Sequence, residues 1–521
     1  MTTEELDLLL LVGSAVLLVA IVAVRLAIGT SFPTLLLYLG LGLVLGENVL
    51  GLEFDDEELT AALGYAALVV ILAEGGLTTT WSNIRPAVPA AAMLATLGTL
   101  ASVGVVAVAA QGLLDVGWQE ALLIGAVLSP TDSAAVFSVL RRVPIRPRLG
   151  GMLEAESGFN DAPVVILVVA LSAAEAPSWW GLAGEMSYQL AVGAVVGLLI
   201  GFLAAEGLRR IALPASGLYP LTVLALCVFS YAATVALHAS GFLAVYLTGL
   251  VLGNSRLPHR PATRGFVEGV AWLAQIGLFV MLGLLATPSE LGPSVLPALG
   301  VGLVLIAVAR PLSVLVSVVP LQRRVPTTWP DRALLSWAGL RGAVPIVLAA
   351  RAGDQDIFNL VFVLVVVYTI VQGPTLPYVA RKLGVTASRD TVPLEIEASP
   401  LVRLDADLLQ VHVTARSRLA GVEVFELRLP DEAAVTLVVR GNRTLVPGPT
   451  TRIHEGDELI IVVSDEIRAE VERRLQAISL GGRLADWQRP PPSVTQPASA
   501  LSIRDRWRRR RRGSAAPTSE T

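Results

Sequence analysis

Leu128-Ser129-Pro130-Thr131-Asp132-Ser133 sits in the middle of an apolar stretch, residues 121–140, long enough to cross a bilayer as a helix. Proline has no amide hydrogen and disrupts the turn before it, and in hydrocarbon the backbone groups it frees must be satisfied locally. Ser129, Thr131 and Asp132 bring polar atoms to that point, so the stretch reads as a helix broken at mid-depth. A second stretch, Trp337-Ala338-Gly339-Leu340-Arg341-Gly342-Ala343-Val344-Pro345 within residues 331–351, flanks an arginine with two glycines and a proline and reads the same way.

The surrounding chain is membrane-like. Of 521 residues, 54% are hydrophobic and only 16% charged, whereas an ordinary soluble domain is less apolar and more charged. The charge is also uneven, because residues 7–380 carry one span-length apolar stretch after another while much of the charge lies beyond residue 385. About thirteen segments are long enough to span: residues 7–27, 33–50, 61–80, 87–110, 121–140, 158–175, 188–205, 218–237, 240–253, 267–286, 297–319, 331–351 and 356–380. The acidic start, Met1 to Asp7, lacks the basic head of a secretory signal, and the first apolar run reads as a retained span.

Loop charge supports this count, with Arg351 the main exception. Alternate loops carry Arg25; Arg85; Arg141, Arg142, Arg146 and Arg148; Arg209 and Arg210; Arg256, Arg260 and Arg264; Arg323, Arg324 and Arg332; and Arg381 with Lys382. Such loops stay on the cytoplasmic side, so the expectation is a multi-pass protein of the cell membrane with its N-terminus outside and its C-terminus in the cytoplasm. The single cysteine, Cys227, excludes an intramolecular disulfide, and the four histidines, His238, His259, His412 and His454, show no metal-ligand spacing. No cofactor, no resident metal and no nucleic-acid partner is expected.

Charges inside spans cost about 2.5–3.5 kcal/mol each on insertion scales and therefore mark function. They are Glu74, Asp132, Glu156, Asp161, Arg310 and Arg341. The broken spans are each the middle of a group of three, residues 87–175 and 297–380, and cross in opposite directions, the pattern of inverted repeats meeting at a midplane site. Asp132 and Arg341 have the right signs to neutralise half-helix ends, though the sequence does not say which charge meets which end. In Glu154-Ala155-Glu156-Ser157-Gly158-Phe159-Asn160-Asp161, Ser157 and Asp161 share a helix face and offer hard oxygens to an alkali cation. Glu156 stands beside that face, with Arg341 as the first expected ion-pair partner and Arg310 as the second; Arg310 alternatively snorkels to the surface. Glu74 either contacts the site or faces a water-filled cavity.

Thr131-Asp132, Glu156-Ser157-Gly158-Phe159-Asn160-Asp161 and Gly339-Leu340-Arg341-Gly342 together resemble the NhaP-type branch of the monovalent cation/proton antiporters, related to the sodium/proton exchangers of animal cells. The resemblance covers residues 7–380. It implies that Asp161 carries proton or cation, with Asp132, Ser157, the Thr131 main chain, Asn160 and Glu74 around the ion. It also implies a Glu156–Arg341 ion pair, a homodimer, and, through Asn160-Asp161, electroneutral exchange. Independently of any family, a buried pair of carboxylates favours competition between proton and cation for one site. Two other classes use parts of this pattern. An intramembrane aspartyl protease needs a Gly-x-Gly-Asp element and a potassium channel needs a filter of successive carbonyls; neither sequence occurs.

From residue 395 to 480 the pattern becomes a small α+β domain, with strands expected at 410–414, 422–429, 434–439, 443–446 and 458–463 and a helix at 465–478. Leu419-Ala420-Gly421-Val422, Leu429-Pro430, Val446-Pro447 and Gly456-Asp457-Glu458-Leu459 resemble the C-terminal subdomain of the regulators of potassium conductance (TrkA-C-like). That resemblance implies a ligand-sensing or dimer-forming module on a membrane domain of residues 1–384, and tilts the cation toward potassium. Residues 486–521, with Pro490-Pro491-Pro492 and the arginine run 506–512, read as a disordered basic tail that is either solvated or drawn to anionic lipid.

Overall fold

Without water to pair with, backbone amides in hydrocarbon must bond within the chain, and the described part of the apolar region is accordingly built of helices in the computed structural model. The structure describes residues 3–27, 33–46, 57–140, 143, 145–173, 178–255, 257–386, 394–401, 406–414, 417–430, 432–441, 443–464 and 467–485. The loop arginines Arg141, Arg142 and Arg256, and the tail with its arginine run, lie outside them. Two compact units form, Met1–Ala387 and Ser388–Thr521.

In the first unit, eight helices among the described residues are long and apolar enough to cross a membrane: Leu59–Thr78, Val88–Leu114, Trp118–Leu140, Trp179–Arg210, Leu218–Ala236, Arg260–Leu285, Val295–Val318 and Gln355–Lys382. Shorter apolar helices occupy Leu10–Arg25, Thr34–Leu45, Gly241–Gly253 and Ala343–Ala352. Leu10, Leu11, Val195, Leu199, Phe202 and Leu203 point outward, a surface suited to lipid. The helix Pro147–Leu171 is as long as its neighbours but carries Arg148, Glu154, Glu156 and Asp161.

That helix corrects the expected segment 158–175, since it begins eleven residues earlier. Pro147 occupies its first turn, where a missing amide hydrogen costs nothing. Glu154 and Glu156 lie well inside this helix, where each finds a partner, Thr79 and Arg310 respectively. Gly249 and Gly253 let the helix Gly241–Gly253 lie directly on the backbone of Glu57–Thr78, where an added methyl would meet Ala73, Gly76 and Leu77.

The second unit is a five-stranded antiparallel sheet of β1 (Leu394–Leu401), β2 (Ala406–Val413), β3 (Ala433–Arg440), β4 (Arg443–Leu445) and β5 (Asp457–Ser464), in the order β1-β2-β5-β3-β4. The helix Arg468–Gly481 places Val471, Leu475 and Ile478 in its core. The strand expected at 422–429 is absent. Gly421 turns the chain with φ +90°, and Glu423 and Glu426 cap each other's backbone around a 3-10 turn, Val424–Leu427, leaving Leu427 to reach the core. Conversely β1 was not expected.

Central β5 alternates inward and outward, and its first inward residue is a charge. The fully buried Asp457 accepts Arg440 Nε and Nη2, both at 2.8 Å, and the His454 amide at 2.7 Å. Burial alone would raise its pKa, but these donors outweigh it and hold the carboxyl below the ordinary aspartate range. The stability this contributes is fully present above about pH 4 and is lost as pH falls through the lowered value. Hydrogen exchange on the full chain should therefore show β5 amides losing protection below about pH 4. Asp457→Asn should cost about 1–2 kcal/mol of that protection at neutral pH and flatten its acid dependence.

Candidate functional site

Two interrupted helices build the site. The first runs Trp118–Leu128 and resumes at Ser133–Leu140; the second runs Trp329–Trp337 and resumes at Ala343–Ala352. Their gaps cross and bond to each other, the Asp132 amide donating to Leu340 O at 2.9 Å. Asp132 Oδ1 accepts the Ala135 amide at 3.1 Å, so the carboxylate caps the N-terminus of Ser133–Leu140. It also presses on Gly342, which precedes Ala343–Ala352, so closely that a methyl there would overlap its Oδ2. One carboxylate thus meets the positive ends of two half-helices.

Arg341 does the converse. Its Nε donates to Leu128 O at 3.0 Å, the last carbonyl of Trp118–Leu128, and Nη1 donates to Gly339 O just past Trp329–Trp337. One guanidinium therefore meets the negative ends of the other two half-helices. Further released carbonyls are taken by Gln372, which donates to Trp337 O at 3.1 Å, and Thr369, which donates to Arg341 O at 3.4 Å. Sequence reading missed both; their signal was a pair of polar residues three apart in an apolar span.

The helix Pro147–Leu171 lies against the first gap. Ser157 Oγ accepts the Ser133 amide at 3.2 Å, and Asn160 Nδ2 donates to Thr131 Oγ1 at 2.9 Å and toward Thr131 O at 3.5 Å. Asp161, 7% exposed, interacts electrostatically with Asp132. The buried Asn160 Oδ1 has no partner among the described residues. The structure therefore brings Thr131, Asp132, Ser157, Asn160 and Asp161 together, a set of carboxylate, hydroxyl, carbonyl and amide oxygens suited to a hard cation or a proton.

Two expected placements are corrected. Glu156 pairs with Arg310, not Arg341: Arg310 Nη1 and Nη2 reach Glu156 Oε1 and Oε2 at 2.5 and 2.9 Å, a bidentate pair with both side chains buried. Arg310 therefore does not snorkel. It follows a π-helical turn, Leu305–Ala309, whose extra residue rotates the face presented after it, while Arg341 is held by the helix-end carbonyls. Arg341 still feels Glu156 attractively and Arg310 repulsively, so the three form one charge cluster. Glu74 has Glu268, Glu154 and Arg264 as charged neighbours.

Crossed, interrupted helices with buried carboxylates define a polytopic membrane transporter rather than an enzyme. The transmembrane sodium/hydrogen exchanger family matches residues 13–382, and the TrkA-C domain family matches residues 408–476. The K(+)/H(+) antiporter NhaP of Alkalimonas amylolytica is 39% identical over 413 residues, covering 76% of this chain and 71% of that protein. The K(+)/H(+) antiporter NhaP2 of Shewanella oneidensis is 33% identical over 492 residues, covering 92% of this chain and 84% of its own length. The solved sodium proton antiporter MjNhaP1 from Methanocaldococcus jannaschii shares the fold with a TM-score of 0.63 at 22% identity, over 73% of this chain and 99% of that one. The chain belongs to the sodium/hydrogen exchanger family.

Removing Arg310 leaves Glu156 buried with no bidentate partner, so Arg310→Ala should cost about 3–5 kcal/mol. A double-mutant cycle with Glu156→Gln, read as thermal unfolding in detergent, should return a coupling of about 1 kcal/mol or more. Gly342→Ala should displace the Asp132 carboxylate and remove transport while the protein still inserts, measured as ion flux beside surface expression.

Proposed function

We propose that this cation/proton antiporter performs its exchange at Asp161, with Asp132, Ser157, Thr131 and Asn160 completing the ion site. The observation that carries the reading is that Asp161 and Asp132 lie buried together beside a gap whose dipole ends already engage Asp132. With Asp132 committed to two helix N-termini, Asp161 is left as the group free to exchange a proton for a cation. Each face of the membrane then sees a site that crosses loaded with one or the other, and a gradient in either ion drives the second the opposite way.

Potassium is the favoured cation, sodium the second. Two of the relatives above are named for potassium/proton antiport, and the TrkA-C domain accompanies the membrane unit. A relative from Aphanothece halophytica, 28% identical over 365 residues, is named for sodium/proton antiport. Asn160 spends its amide on Thr131 and contributes no second titrating charge, which favours one proton per cation and an electroneutral cycle.

An arrangement of thirteen spans with inverted repeats is supported by a mark beyond the two gaps. Val88–Leu114 and Val295–Val318, the first members of the two three-helix groups, each contain one π-helical turn, Leu94–Gly98 and Leu305–Ala309. The arginine-rich loops favour an outside N-terminus and a cytoplasmic C-terminal unit, for which we infer a regulatory role through a small-molecule ligand or homodimer contact.

In acid-loaded vesicles, adding potassium or sodium chloride should alkalinise the lumen in the wild type, independently of an imposed membrane potential. Asp161→Asn should abolish the response. No pH change with either salt from about pH 6 to 9 would overturn the reading, and comparing the two salts gives the selectivity.

A further inference from the structure

A second set of oxygens lies on the same face of Pro147–Leu171 as the ion site. Glu154 precedes Ser157 by three residues and Asp161 by seven, so the three form one stripe, with Glu154 roughly 10 Å nearer the helix N-terminus than Asp161. Glu154 lines a cavity of about 290 Å³ together with Asn83, Leu140, Gly150 and Gly151. Its place joins an open space to the buried pair.

The groups around it can bond in more than one way. Thr79 Oγ1 lies 2.6 Å from Glu154 Oε1 and 2.7 Å from Gly75 O, yet one hydroxyl hydrogen serves only one of these acceptors. Because Gly75 O also accepts the Thr79 amide at 3.1 Å, the hydroxyl is free to donate to a charged Glu154, and a proton on Glu154 lets it turn back to Gly75 O. Tyr246, 2% exposed, holds its hydroxyl against Thr79 with the Glu154 charge close by. Its position is enforced rather than incidental. The ring meets Phe159 edge-on at 5.7 Å and lies flush on Gly158, where any Cβ would collide with it. Glu74 adds negative charge near Glu154 and itself faces Glu268 and Arg264, whose guanidinium also reaches toward the Leu77 and Thr78 carbonyls.

We propose that Glu154, Thr79 and Tyr246 form a second ion station, which takes a monovalent alkali cation from the cavity, in competition with a proton, and passes it to Asp161. The station rests on the reading of Asp161 as the carrier. Glu154 supplies charge, Thr79 and Tyr246 supply neutral oxygens, and the next hard oxygen inward is Ser157, one helical turn on.

Two measurements test it. In everted vesicles, Glu154→Gln should raise the KM for potassium about three- to tenfold with the maximal rate nearly unchanged, Glu154→Asp should restore part of the loss, and Tyr246→Phe should shift KM the same way. An unchanged KM in both Glu154→Gln and Tyr246→Phe, or a fall in maximal rate at constant KM, overturns the station. The second measurement is thallium(I) binding to the purified full chain, which needs no transport. Asp161→Asn should retain one class of site that Glu154→Gln in the same background removes; no residual binding in Asp161→Asn overturns the station. Absence of exchange in the wild type would instead sink the transport reading, leaving thallium binding to decide the station.

Discussion

The structure of the membrane unit depends on one electrostatic arrangement, the matching of four half-helix ends by two side chains at the crossing of the gaps. Interrupting a helix in hydrocarbon exposes unpaired amides at one end and unpaired carbonyls at the other, with partial charges that nothing in lipid can screen. Asp132 meets the two amide ends and Arg341 the two carbonyl ends. Because each charge serves both helices, neither gap is stable alone, and the crossing is fixed by mutual need rather than by apolar packing. The Asp132 amide bonded to Leu340 O ties the two gaps directly.

The ion site is a by-product of that crossing. Once Asp132 is anchored, the helix Pro147–Leu171 needs only to lay Ser157, Asn160 and Asp161 against Thr131 to gather oxygens around a carboxylate whose charge is not spent elsewhere. The Glu156–Arg310 pair, on the other side of the same helix, holds it there. Two arginines against one glutamate leave an excess positive charge, tolerated because Arg341 is also held by the carbonyl ends. Gly158 has a related task, since only a bare backbone admits the Tyr246 ring against the helix that carries the ion site.

Much of this was legible beforehand. Proline at 130 and the two glycines around Arg341 announced the gaps, because few residue patterns break a helix in an apolar stretch without polar atoms to repair it. The spacing of Ser157 and Asp161 announced a shared face. What misled was the resemblance, which implied a Glu156–Arg341 pair and put Arg310 second, and the π-turn that aims Arg310 at Glu156 leaves no trace in composition. Glu74, read as either a site contact or a group facing a water-filled cavity, lies near Glu154 and Glu268. In the second unit, alternating apolar residues at 422–429 imitated a strand, and the reciprocal caps of Glu423 and Glu426 turned them into a 3-10 turn.

The sequence by itself determined that the chain spans a membrane, that two helices break, and that Asp132, Ser157, Asn160 and Asp161 are the residues to watch, because burying charge in hydrocarbon is too costly to occur without a use. Only the tertiary structure decided which charge meets which helix end, which arginine holds Glu156, and that Glu154, Thr79 and Tyr246 converge beside a cavity. Those outcomes depend on contacts between residues up to about two hundred positions apart, such as Arg341 with Leu128, and on the rotation of helices about their axes. Neither is encoded in local spacing; both follow from how the folded helices must share a small number of unpaired ends.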